Sequence, residues 1–248
     1  NTRTSNLWKP QPGKQQVRVV PYKFNPDTPF IELFFHYNLG GKNYLSPISF
    51  GRPDPIEEFS QRLKTTGSKD DYNLGRKLEA KMRTFAPVIV RGEESEGVKF
   101  WGFGKTVYQE LLSIIADPDY GDITDPKNGR DITLEFKTAE ETGASFPSTS
   151  IRVKPNQTPI TEDSNILERI KDTQKEITDI YQELSYEDLT SVLNEWLNPD
   201  EETTETSTEE PKKPVNEFDQ KLAEDKAKKE SASKVQDASQ QFDDLFNN

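Results

Sequence analysis

The chain has 248 residues, of which 31% are hydrophobic and 31% charged, and 44 Asp and Glu against 32 Lys and Arg give a formal net charge of −12. Ordinary globular chains hold about 45–50% apolar residues, so part of this one lies outside any core. It has no cysteine and one histidine, His36, which excludes disulfides, thiolate zinc sites, thiol nucleophiles and multi-histidine metal centres.

No apolar run approaches the ~20 residues needed to span a bilayer, and no apolar h-region marks a signal peptide. The chain opens at Asn1 and not at Met, which predicts a fragment or missing upstream residues. Val17, Val19 and Tyr22 mark a first short strand. Residues 28–37 (TPFIELFFHY) are dense in aromatic and β-branched side chains, and Asn38–Gly41 (NLGG) is a turn signal leading into Lys42–Leu45, a predicted hairpin. Ile56, Phe59 and Leu63 recur at helical spacing. Residues 85–91 read as a strand that Pro87 places at an edge or bulge. Residues 98–103 (VKFWGF) read as another strand. Val107, Tyr108, Leu111, Leu112 and Ile115 form a helical stripe over 105–116, ended by Asp117-Pro118. Residues 131–137 alternate Ile132, Leu134 and Phe136 with polar neighbours, and 148–154 close the strand series. Residues 163–197 read as a helical hairpin, with Ile166, Ile170, Ile177, Tyr181 and Leu184 on one face and a capping box at Ser185 and Asp188. From 200 the composition is too polar to fold, and a tip, Phe242, Asp243, Asp244, Leu245 and Phe246, ends the chain.

The pattern predicts an α+β fold, a small β-barrel with inserted and C-terminal helices. It divides into a core at 1–160, a helical segment at 161–199 packed on or beside it, and a disordered acidic tail at 200–248. The charge is partitioned the same way. Residues 1–160 carry 22 basic and 20 acidic side chains, 161–197 carry 3 and 10, and 198–248 carry 7 and 14. An acidic tail does not exclude an anionic ligand on the core, because local potential governs binding.

Most motifs have a plain reading. Gly104-Lys105-Thr106 ends like a phosphate loop, but the glycine required five residues earlier is Lys99. His36, without a second histidine or any cysteine, reads as a satisfied histidine and not a metal ligand. Glu93, Glu94 and Glu96 read as a solvated loop. No nucleophile–base–orienter set is present, which predicts a protein that is not an enzyme. The informative feature is the interleaving of cations and rings over residues 42–105: Lys42 with Tyr44, Phe50 with Arg52, Tyr72 with Arg76 and Lys77, Lys81 and Arg83 with Phe85, and Lys99 and Lys105 around Trp101 and Phe103. Single-stranded nucleic acid is held by this mixture, with cations on phosphates and rings on bases.

The order of blocks carries a resemblance. Leu7-Trp8-Lys9-Pro10, Val17–Pro21, the strand with His36, Gly41-Lys42-Asn43-Tyr44, Arg83–Val90, and Glu96–Lys105 running through Trp101 into Phe103-Gly104-Lys105 resemble the single-stranded DNA-binding (helix-destabilising) proteins of T-even-type tailed phages. The tip Phe242–Phe246 resembles that family's acidic terminus. The resemblance implies an oligonucleotide-binding (OB) fold and sequence-independent binding of single-stranded DNA in replication, recombination and repair, in the cytoplasm of an infected bacterial host. It also implies a tail that competes with DNA and recruits replication or recombination proteins through its tip, and self-association along DNA. By position, Tyr44, Phe85, Trp101 and Phe146 are stacking candidates. Lys42, Arg76, Lys77, Lys81, Arg83, Lys99 and Lys105 are phosphate candidates, and Arg52, Tyr72 and Phe103 complete the DNA-binding set. Many relatives hold zinc with one His and three Cys. His36 matches the histidine, but the cysteine positions near Ser46 and in Pro53–Glu57 have no ligand set, so no cofactor is expected. Ile48, Phe50, Ile56 and Phe59 then hold that subdomain by burial. The alternative is a non-enzymatic phage assembly or host-interaction protein acting through its acidic tail.

Overall fold

The computed structural model describes residues 6–199. In chain order the elements are β1 (Leu7–Trp8), β2 (Gly13–Val19), β3 (Ile31–Leu39), β4 (Lys42–Leu45), α1 (Pro55–Thr65), α2 (Lys69–Leu78) and β5 (Lys81–Val90). Then follow β6 (Lys99–Phe103), α3 (Lys105–Ala116), β7 (Arg130–Lys137), α4 (Ala139–Thr142), β8 (Ser148–Gln157), α5 (Ser164–Asp172) and α6 (Tyr186–Leu197). Two units emerge, and they do not follow the expected boundary at 160. Within the described residues, a sheet unit comprises 6–34 and 82–183, and a helical unit comprises 35–81 and 184–199.

In the sheet unit the strands follow the order β1-β6-β5-β2-β7-β8, while β3 and β4 lie off this path of the eight-stranded sheet. β2 is central: Val17 lies opposite Val90 of β5 and Ile132 of β7. Alternation sends Val17, Val19, Val88, Ile132 and Leu134 into a core that α3 closes with Val107 and Leu111. The other side of β2 is also covered. Arg18 is fully buried there and its Nε donates to Asp131 at 3.0 Å, while Asp131 also receives Arg91 at 2.9 Å. Val20, Ile89 and Ile160 pack beside them under Ile166, Leu167 and Ile170 of α5.

Two expectations fail here for physical reasons. The sheet is open and not a barrel, because its end strands β1 and β8 do not pair. β1 is two residues long, and Pro10 and Pro12 just after it lack the amide donors that would extend it. Pro87 sits in an interior strand between β6 and β2 and not at an edge; its carbonyl accepts from Val20 N at 3.0 Å.

The expected helical hairpin over 163–197 is also interrupted. α5 ends at Asp172, a single 3-10 turn covers Ile177–Asp179, and α6 begins only at Tyr186. Gln174 explains the break: its side chain accepts from Lys23 N at 2.5 Å and donates to Pro21 O at 3.1 Å, a bond pair that pins the chain in a non-helical path. The Ser185–Asp188 capping box is present.

The helical unit is built on the β3–β4 hairpin, which turns through Gly40 and Gly41 at φ 58° and 75°. Asp54 caps α1 and Pro55 opens it. Ile56, Phe59 and Leu63 of α1 meet Leu78 of α2 and Leu189, Leu193 and Leu197 of α6. Gly75 lets α2 approach α1: a Cβ there would lie 2.7 Å from Ser60 O. Of the side chains expected to hold this region, Ile56 and Phe59 are fully buried, Ile48 is half-buried and Phe50 is exposed. Residues 200–248, including the tip Phe242, Asp243, Asp244, Leu245 and Phe246, lie outside the described residues.

Candidate nucleic-acid interface

The ring-and-cation pattern of residues 42–105 is divided between the units, and within each only part of it reaches solvent. In the sheet unit three rings are lost to the core. Phe85, Trp101 and Phe103 are 3%, 1% and 4% exposed. Trp101 packs 6.1 Å from Trp8 and 4.7 Å from Phe103, and Phe85 lies 5.9 Å from Tyr181. A ring without an accessible face cannot accept a base, so the stacking expected of Phe85 and Trp101 is withdrawn, and Phe103 leaves the DNA-binding set.

Lys99 is likewise committed. Its Nζ sits 2.6 Å from Glu93 and 2.5 Å from Glu96. Burial works to lower its pKa, but the two carboxylates outweigh it and hold the ammonium above its ordinary value. Arg83 is exposed on β5 and its Nη2 donates to Gly102 O at 2.8 Å. Gly102 has no side chain because Phe85 and Arg83 cross it; a Cβ would meet the Phe85 ring at 2.7 Å and Arg83 Nε at 2.9 Å. Lys105 is exposed in the first turn of α3, after the junction at Gly104. Phe146 is 78% exposed in the segment between α4 and β8.

In the helical unit α2 gathers the pattern. Lys69, Tyr72 and Arg76 are spaced three and four apart and all exposed, so they share one face. Lys77 is exposed beside them. Tyr72 is 46% exposed, as a stacking ring requires. The same helix places Asp70 and Asp71 in its first turn and Arg76 and Lys77 in its last, which suits the helix dipole without any ligand. Among the described residues, Lys42, Arg76, Lys77 and Lys105 form no ion pair. Lys81 does: its Nζ is 2.9 Å from Glu79, and that contact, with help from Lys64, holds the Glu79 carboxyl below its usual pKa. Arg52 lies over the Phe50 ring at 5.2 Å. Tyr44 is half-buried, opposite His36 in the hairpin and packed on the helical core.

One feature of the sheet unit has no motif in the sequence. A cleft of about 570 Å³ in the sheet unit is lined by Trp8, Lys14 and Lys154, among others. Its sequence signal is Trp8 and Lys14 with a lysine more than a hundred residues later, which no local pattern joins.

The histidine of the resemblance does not fit zinc. His36 is fully buried, with Nδ1 2.6 Å from Leu78 O and Nε2 2.9 Å from Asp54 Oδ2. Asp54 in turn accepts from Ser46 Oγ and from the amides of Ile56 and Glu57. Both ring nitrogens and the nearest carboxylate therefore have partners within the protein. Among the described residues no group of three His, Cys, Asp or Glu is placed to hold a metal. The network joins the hairpin, the start of α1 and the end of α2.

A family model described as "gp32 DNA binding protein like" matches residues 11–198. The chain belongs to this family. The match covers both units of the fold and identifies a DNA-binding protein, as the block order in the sequence implied. A search of curated proteins returned no match.

Proposed function

We propose that this gp32-like protein binds single-stranded DNA without regard to sequence and performs no catalysis of its own. The observation that carries the reading is the solvent face of α2, where Tyr72 stands in line with Lys69 and Arg76 and beside Lys77. Such a face supplies a ring for a base and cations for the phosphates that flank it. Arg52 with Phe50 repeats the pairing in the same unit, and Lys42, Arg83, Lys105 and Phe146 are further exposed groups of the expected set. The phage role in replication, recombination and repair, the host cytoplasm as its place of action, recruitment of proteins through Phe242–Phe246, competition of the tail with DNA, and self-association along the strand all belong to this proposal. Support for them comes from family membership and from the 14 acidic residues of 198–248 against 7 basic ones.

The test is fluorescence anisotropy of a labelled oligothymidylate with the full chain and with Arg76→Gln/Lys77→Gln. Each lost phosphate contact on a single strand reduces the slope of log K against log salt by about 0.7. A double variant whose slope falls by about 1.4 supports the reading; one indistinguishable from the parent removes α2 from the interface.

A further inference from the structure

We infer that the cleft of the sheet unit lined by Trp8, Lys14 and Lys154 is a nucleotide-sized contact for the DNA strand, with Trp8 against a base and the two lysines on adjacent phosphates. This deepens the proposed function and rests on it.

The cleft has a volume of about 570 Å³, within the ~300–1,000 Å³ of small-ligand sites. Residues from β1, β2 and β8 line it, so it lies where the two unpaired ends of the open sheet approach one pocket. Its charged groups sort clearly. Glu93 is paired with Lys99 at 2.6 Å, an ammonium it shares with Glu96 at 2.5 Å. Arg91 is spent on Asp131 and on the carbonyls of Pro159 and Ile160. Gln15 is turned back onto Gln11, accepting from its amide at 2.8 Å. What remains uncommitted is Lys14 on β2 and Lys154 on β8; among the described residues neither forms an ion pair. Glu135 stands opposite Lys14 in the β2–β7 register, but it lies outside the cleft lining and is 3.9 Å from Lys137.

Trp8 is half-buried. It packs at 76° to Trp101, an arrangement that fixes its ring while part of it still lines the cleft. A positioned indole and two uncommitted ammonium groups lining one cleft match a base with its flanking phosphates. A small acid would use the lysines and leave the ring idle, and an apolar ligand would leave both charges unanswered.

The experiment uses the full chain, a labelled oligothymidylate, and two variants. Lys14→Gln/Lys154→Gln is expected to bind several-fold more weakly and to reduce the slope of log K against log salt by about 1.4. Trp8→Phe keeps a ring against Trp101 and is expected to lose most of the tryptophan quenching seen on DNA addition, because Trp101 is buried and the third tryptophan, Trp196, packs on the core of the helical unit. Thymidine monophosphate in place of the oligonucleotide is expected to leave the Trp8 signal unchanged at micromolar concentration. Quenching by the mononucleotide there would assign the cleft to free nucleotides and overturn the strand contact. A parent chain that binds the oligonucleotide while both variants match it in affinity, slope and quenching also overturns the cleft, and leaves the proposed function intact. A parent chain that binds no oligonucleotide at low salt overturns both.

Discussion

His36 Nε2 lies 2.9 Å from Asp54 Oδ2, with both side chains fully shielded from solvent. The opposite ring nitrogen faces the Leu78 carbonyl, which only accepts. Burial works against the Asp54 charge, but His36, Ser46 and the Glu57 amide outweigh it and hold the carboxyl below the ordinary aspartate range. A carboxyl depressed in the folded state contributes stability above its unfolded pKa and loses it as pH falls through the folded value. Urea midpoints measured from pH 6 downward should therefore hold until about the ordinary aspartate range and then fall. Asp54→Asn keeps a capping acceptor for α1 and should flatten that fall. His36→Phe leaves the buried carboxylate without its partner, and is expected to cost about 3–5 kcal/mol.

Gly75 sets the spacing of α1 and α2. A methyl group there would meet the Ser60 carbonyl at 2.7 Å and Lys64 Cγ at 2.9 Å. Gly75 is helical and not at positive φ, so alanine would ordinarily stabilise it by reducing unfolded-state entropy. The clash reverses the sign. Gly75→Ala is expected to lose about 1–3 kcal/mol in chemical denaturation, whereas an alanine at an uncrowded helical glycine would gain.

Trp101 and Tyr72 separate core from contact. Trp101→Ala should cost about 3–5 kcal/mol of stability as a cavity, and Trp101→Phe, which is milder, should leave oligothymidylate affinity unchanged. Tyr72→Ala should leave the melting midpoint nearly unchanged and weaken DNA binding by about 1–3 kcal/mol for any base composition. A large sequence-selective loss at Tyr72 would contradict a stacking role.

Much of this was legible in the chain, and the misses have physical causes. The hairpin turn at Asn38–Gly41, the Ser185–Asp188 cap and the end of α3 at Asp117 are local chemistry, written in the residues that perform it. α2 has no helical signature in the sequence because only Leu74 and Leu78 mark an apolar stripe, and the residue between them that meets α1 is a glycine. The rings of β6 were misjudged because alternation assumes one wet face. Phe100 meets Tyr22 at 6.1 Å on one side while Trp101 meets Trp8 on the other, so both are buried, as in a strand covered on both faces. Tyr72, Arg76 and Lys77 were legible as a group because they lie within six residues of one another. Trp8, Lys14 and Lys154 were not, because they come from three strands that only the sheet brings together.

The most direct measurement is a salt titration of full-chain affinity for an oligothymidylate and for a duplex of equal length. The account predicts tighter binding to the single strand at every salt concentration, with a log–log slope of about −0.7 per phosphate contacted. Equal or tighter binding to the duplex, or affinity that does not change with salt, would contradict it.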